Sequence, residues 1–193
     1  WKVILIFILN SLLTLKLDIL PQGDIENIEN IIKDYSFPWF YRPSNLNNFY
    51  FNSHTLSDLN LGINSPHYDY FKKIFNRLCE RSNIKVNKLL RMNINMTFHN
   101  SAKHGNLHVD HSFPHYVMIL YLNNASGNTL IFNEQYEKTK PIEIENVDSN
   151  QYTLKHEITP KKNKVVFFKG MSYHAQEFSK PNEERILFIA TFQ

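Results

Sequence analysis

The chain has 193 residues, 42% of them hydrophobic and 20% charged, and a formal net charge of +3 at pH 7. These values fit one compact domain and exclude wholesale disorder. Lysines and arginines are scattered rather than blocked, so so small a charge argues for neither nucleic acid nor an anionic membrane as partner. The lone cysteine, Cys79, excludes an internal disulfide framework and suits a reducing, cytoplasmic compartment, where it reads as a buried structural thiol.

Trp1 stands where an initiator methionine would, so the numbering reads as beginning inside a longer frame. Residues 3–9 are an apolar run after Lys2, without a small-residue cleavage site and interrupted by Asn10 and Ser11. That pattern is too short for a membrane span and predicts a buried strand. Over residues 24–34, Ile25, Ile28, Ile31 and Ile32 recur at helical spacing behind an acidic first turn. Ser65-Pro66 is a helix start, and Tyr68, Phe71, Ile74, Phe75 and Leu78 then form one apolar stripe.

From Leu90 the period changes to two. Leu90, Met92, Ile94, Met96 and Phe98 alternate with Arg91, Asn93, Asn95 and Thr97, the pattern of a strand with one wet face. Further strands are predicted at residues 116–123, 129–132, 142–147, 151–158, 164–169 and 185–192, with turns such as Pro181-Asn182 between them. Short strands at this spacing indicate a mostly β sandwich or jelly roll with flanking helices, not alternating β-α units.

The chain has nine histidines, and two His-x-Asp pairs that deserve a test as chelators. A chelating pair at i and i+2 needs an extended backbone, which puts both side chains on one side. His67 and Asp69 fall at the start of a predicted helix, where positions two apart point about 200° apart around the axis. His108 and Asp110 lie in a polar segment marked by Gly105, before an apolar strand, and can chelate. His174, after the strand Val165-Val166-Phe167-Phe168 and a turn at Lys169-Gly170, offers a third ligand. Two imidazoles and one carboxylate with open positions are the donor set of non-heme iron(II) oxygenases, whereas zinc favours a further nitrogen or thiolate. Arg185 opens the apolar strand Ile186-Leu187-Phe188-Ile189-Ala190 and is costly to bury without an anionic partner. A dicarboxylate would satisfy it at about 1.5–3 kcal/mol per charge-assisted hydrogen bond.

The ordered series His108-x-Asp110, Ile119-Leu120-Tyr121-Leu122-Asn123, Gly127-Asn128-Thr129-Leu130-Ile131-Phe132, Lys164 to Phe168, His174 and Arg185 resembles the prolyl-4-hydroxylase-like branch of the Fe(II)/2-oxoglutarate-dependent dioxygenases, including small members from phage and marine microbes. The match runs from about Arg91 to Phe192, and Phe37-Pro38-Trp39-Phe40-Tyr41 is similar to a segment near the start of those small proteins. The resemblance implies a double-stranded β-helix in one domain, with residues 1–85 as N-terminal strands and supporting helices and 86–193 as the catalytic core. It implies iron on His108, Asp110 and His174, and the distal carboxylate of 2-oxoglutarate on Arg185, with Tyr121 donating to it and Thr129 lining the same pocket. Asn95, with Asn93, matches a position that reaches co-substrate or product. The co-factors so implied are Fe(II) and 2-oxoglutarate, with ascorbate admitted beside them. The reaction implied is hydroxylation of a peptidyl proline or another small C–H substrate, with release of succinate and carbon dioxide.

Two departures stand out. The family's paired glycine before the Thr129 strand is Gly127-Asn128, and the second arginine of alkylation-repair demethylases would fall at Thr191, which argues against nucleic acid as substrate. His99, His104, His111 and His115 read as solvent-facing or substrate-side groups, and Phe37, Trp39, Phe40 and Tyr41 as core or lid. A non-redox cupin-type metal enzyme and a non-catalytic binding module on the same barrel remain alternatives. The prime substrate and the oligomeric state are left open.

Overall fold

A computed structural model describes residues 13–43, 49–144 and 151–193. The strand expected at residues 3–9 and the end of that expected at 142–147 lie outside them. In chain order the elements are β1 (Leu13–Lys16), α1 (Gln22–Lys33), β2 (Phe40–Pro43), β3 (Tyr50–Asp58), β4 (Gly62–Ile63), α2 (Tyr68–Arg81), β5 (Leu89–Thr97), β6 (Leu107–His108), β7 (Tyr116–Tyr121), β8 (Thr129–Gln135), β9 (Glu143–Ile144), β10 (Leu154–Ile158), β11 (Val165–Lys169), β12 (Ser172–Gln176) and β13 (Arg185–Phe192). The described strands form two antiparallel sheets. The larger runs β1-β11-β7-β13-β5-β3-β2, with β4 on β3, and the smaller runs β10-β8-β12-β6-β9.

The larger sheet carries the main core on its outer face. Ile25, Ile28 and Ile32 of α1 and Phe71, Ile74, Phe75 and Leu78 of α2 are buried with Met92, Ile94, Met118, Leu120, Phe167, Phe188 and Phe192 of the sheet. Cys79 belongs to this cluster, and burial pushes its thiol up to about 12. Val117, Ile119, Tyr121, Val166, Phe168 and Leu187 form a second cluster with Ile131 and Ile158 of the smaller sheet. Alternation thus divides β5: Met92, Ile94 and Met96 join the cluster under the helices, and Arg91, Asn93, Asn95 and Thr97 turn toward a cavity between the sheets. The predicted wet face is wet on the inside.

Helix α2 begins later than Ser65-Pro66 suggests. Residues 65–67 make a turn in which Ser65 Oγ accepts the His67 amide at 3.1 Å, and Tyr68 is the first helical residue. His54, which carries no signal in the sequence, is buried against this turn. Its Nδ1 lies 2.9 Å from the Pro38 carbonyl and its Nε2 2.7 Å from Ser65 Oγ, which ties the segment after α1 to the start of α2. Of the aromatic group, Phe37 is buried and Trp39 packs on the core, while Phe40 and Tyr41 on edge strand β2 are exposed.

At Gly127 the chain passes directly over the connection between β12 and β13. An added Cβ would stand 2.4 Å from the Glu177 carbonyl oxygen and 2.9 Å from the Ser179 amide nitrogen. The Glu177 amide also donates to the Asn128 carbonyl at 2.8 Å, so neither backbone can retreat freely. Gly127→Ala should lower stability by about 1–3 kcal/mol, as overpacking does, read as a shift in the urea midpoint at unchanged m-value.

Candidate metal centre

His108 ends β6 and His174 lies mid-strand in β12, not at a strand end as the turn at Lys169-Gly170 suggests. The two residues are direct partners in the antiparallel register. Partners across an antiparallel pair share a face, so their rings lie 4.4 Å apart between centroids. Asp110 follows two residues after His108 and returns to the same side. One ligand atom from each of His108, Asp110 and His174 lies within 4.8 Å of the others, and this is the metal-type cluster found among the described residues. His67 and Asp69 are not brought together there: His67 precedes α2, and Asp69 is exposed on its first turn.

The electrostatics prepare this cluster for a cation. In both imidazoles Nδ1 faces a main-chain carbonyl at 3.1 Å, that of Asn106 for His108 and that of Ser172 for His174. A carbonyl only accepts, so Nδ1 carries a proton, which leaves Nε2 as the atom that binds a metal when the ring is neutral. Burial, and then the neighbouring His174, lower the pKa of His108. Burial works against the Asp110 charge, but the Arg91 guanidinium and the two imidazoles hold this carboxyl well below the usual carboxylate range. Its Oδ2 is buried, accepts no hydrogen bond and stands 3.4 Å from His174 Nε2. A proton or a metal cation between Oδ2 and Nε2 would relieve the repulsion of two lone pairs across this buried gap. Two nitrogens, one carboxylate oxygen and a neutral tautomer fit iron(II).

The same cavity, of about 750 Å³, is lined by the triad and by Arg185, Thr129, Gln176, Leu187 and Ile189. Arg185 is 2% exposed, and among the described residues no carboxylate pairs with it. Its Nη2 donates to Thr129 Oγ1 at 2.6 Å and its Nη1 reaches Gln176 Oε1 at 3.5 Å, while Nε is buried with no partner. Burial lowers the Arg185 pKa, though a guanidinium keeps its charge. Tyr121 stands behind this group, fully buried, with its hydroxyl 2.7 Å from Thr129 Oγ1 and its ring 5.7 Å from the guanidinium. Burial raises the Tyr121 pKa, so the phenol stays protonated. Asn95 lines the cavity with its Oδ1 accepting from Ser53 Oγ at 2.8 Å, and Asn93 Oδ1 is buried without a partner.

Three contacts escaped the sequence reading. Arg91 pairs with Asp110, Gln176 approaches Arg185, and His111 Nε2 lies 2.8 Å from Thr191 Oγ1. Arg91 carried one usable signal, its place on the polar face of β5. The neighbouring histidines are also corrected in part. His115 is buried, with its ring against Gly170 and Nδ1 2.7 Å from the Phe113 carbonyl, rather than solvent-facing.

No known protein family model matches this sequence, and no curated protein matches it. Solved structures do. The α-ketoglutarate-dependent non-heme epimerase SnoN of nogalamycin biosynthesis aligns over 94% of this chain and 78% of its own, at 10% identity and a TM-score of 0.69. HygX from Streptomyces hygroscopicus, solved with nickel and 2-oxoglutarate bound, aligns over 94% and 82% at 13% identity and 0.61. A Pseudomonas putida prolyl-4-hydroxylase aligns over 95% and 93% at 12% identity and 0.57. The chain has the jelly-roll fold of the 2-oxoglutarate/iron(II) oxygenases. At these identities the likeness shows the fold alone, which is one of the two that strand spacing allowed, sandwich or jelly roll, and the one that the resemblance implied. No helix among the described residues is long and apolar enough to cross a membrane.

The two His-x-Asp pairs make a direct comparison. Asp110→Asn should weaken manganese(II) binding, read by calorimetry, by more than the about 10–100-fold typical of losing a group behind a metal ligand. Asp69→Asn should leave it unchanged and cost about 0.3 kcal/mol at the helix start.

Proposed function

We propose that this chain is an iron(II)- and 2-oxoglutarate-dependent oxygenase that hydroxylates a C–H bond of a peptidyl proline or another small polar substrate. The observation that carries this reading is Arg185, a buried cation without a carboxylate partner in a cavity it shares with the His108–Asp110–His174 cluster. A non-redox cupin-type enzyme has no need of such a cation. Iron held by the three residues would supply dioxygen activation coupled to decarboxylation of the 2-oxo acid, with succinate and carbon dioxide released.

The chain's own residues do the rest. Arg185 and the Thr129 hydroxyl bind the distal carboxylate, with Tyr121 orienting Thr129 from behind, since its hydroxyl meets Oγ1. Leu187, Ile189, Val117 and Ile119 line the cavity and exclude water from the reacting centre. Asn95, Asn93, Ser53 and Thr55 line it with uncharged hydrogen-bonding groups and receive a substrate that carries amides or hydroxyls. The P. putida neighbour is a prolyl-4-hydroxylase and a Trichoplax adhaerens neighbour was solved with a peptide fragment, which supports a peptide among the candidates. Ascorbate would serve only as an accessory reductant.

The test is anaerobic titration of Fe(II) and then 2-oxoglutarate, followed by the visible charge-transfer absorption of the bound 2-oxo acid. A saturable band supports the proposal, and its absence with iron bound overturns it. In Arg185→Lys the charge stays but the fork is lost. Its 2-oxoglutarate affinity should fall about 10- to 100-fold, one or more charge-assisted hydrogen bonds, while iron affinity holds. Equal affinity would move the anchor elsewhere.

A further inference from the structure

We propose that Arg91 is a positioning residue that reserves one oxygen of Asp110, so that the chain offers a metal ion three donor atoms and not four. This rests on the reading of His108, Asp110 and His174 as a metal site. Arg91 Nη2 donates to Asp110 Oδ1, while Oδ2 of the same carboxylate is buried, unpartnered and turned toward His174 Nε2. The two oxygens of a free carboxylate are equivalent and can both bind one ion. Here they are not equivalent, because one is already taken.

The fold makes that division durable. Arg91 belongs to β5 in the larger sheet, and Asp110 follows β6 in the smaller one, so the ion pair spans the two layers. Both side chains are shielded, at 25% and 9% exposure, so water competes weakly for the contact. A second contact runs in parallel. Thr191 of β13 is the register partner of Arg91, and its hydroxyl meets Nε2 of His111, the residue after Asp110. Neighbouring residues of the larger sheet therefore grip residues 110 and 111 together and set the carboxylate's rotation. The function asks for this restriction. A 2-oxo acid and dioxygen need open positions beside the ion, and a fourth protein donor would occupy one of them.

The experiment compares Arg91→Met and Arg91→Lys with the parent, each as the full chain. The readouts are the visible spectrum of the Co(II)-loaded protein, which reports ligand number, and 2-oxoglutarate affinity at saturating metal. Arg91→Met should still load one Co(II), but with an altered spectrum and 2-oxoglutarate affinity at least about tenfold weaker, within the range for losing a partner of a metal ligand. Arg91→Lys keeps a cation near Oδ1 but replaces the planar, fixed Nη2–H donor with a shorter, freely rotating ammonium, and its affinity should fall by about two- to fivefold; it decides the matter should Arg91→Met not fold. A parent-like spectrum in Arg91→Met, with only its melting temperature lowered, would reduce Arg91 to a tie between sheets and overturn the proposal. Unchanged affinity in the lysine variant does the same. A parent that binds Co(II) but no 2-oxoglutarate defeats the oxygenase reading alone, and the Co(II) spectra then still decide the role of Arg91.

Discussion

Charge enclosed between two sheets has to be matched, and this constraint organises the molecule. Asp110 and Arg185 face one cavity, away from bulk water, where an unpaired ion costs several kcal/mol. Asp110 has Arg91 for one oxygen and two imidazoles beside the other. Among the described residues Arg185 has neutral oxygens, from Thr129, Gln176 and Tyr121, and no carboxylate. The gaps are specific in space: Asp110 Oδ2 lacks a hydrogen-bond partner at the triad, and Arg185 lacks an anion. A metal ion and a dicarboxylate would satisfy both together, so one electrostatic requirement accounts for both halves of the proposed site.

The fold can hold such a cavity because much of its apolar core lies outside it. The helices α1 and α2 and the outer face of the larger sheet make a large apolar cluster that contains no member of the site. Leu107, Val109, Leu130, Phe132, Tyr173 and Ala175 make another on the smaller sheet. Each sheet is thus buried on the side away from the cavity, and alternation delivers polar residues inward at β5, β6 and β12 without breaking either core. Opposed placement of His108 and His174 in a ladder fixes their rings more firmly than loops would.

What could be read from the sequence follows from how far each interaction reaches along the chain. The stripe from Tyr68 to Leu78 declares α2, and the alternation from Leu90 declares β5, because neighbours a few residues apart set both periods. β13 is legible as an apolar run behind an arginine. β3 is not: Asn52, Ser53, His54, Thr55 and Ser57 carry no strand pattern, and it is a strand because β5 and β2 pair with it. β12 is hidden for the same reason, with His174 and Gln176 turned to a polar interior that exists only once the sheets close.

The sequence by itself determined the donor types, the extended spacing that lets His108 and Asp110 share a side, the misfit of His67 and Asp69, and the problem posed by a buried Arg185. Tertiary structure alone decided which partners meet. It paired Arg91 with Asp110, set Tyr121 behind Thr129 rather than on the cavity wall, buried His115 against Gly170 and brought Gln176 to Arg185. These contacts join residues that are far apart in sequence or depend on which face a strand turns inward. Strand register sets them, register is a property of two strands at once, and no local pattern in one strand encodes the other.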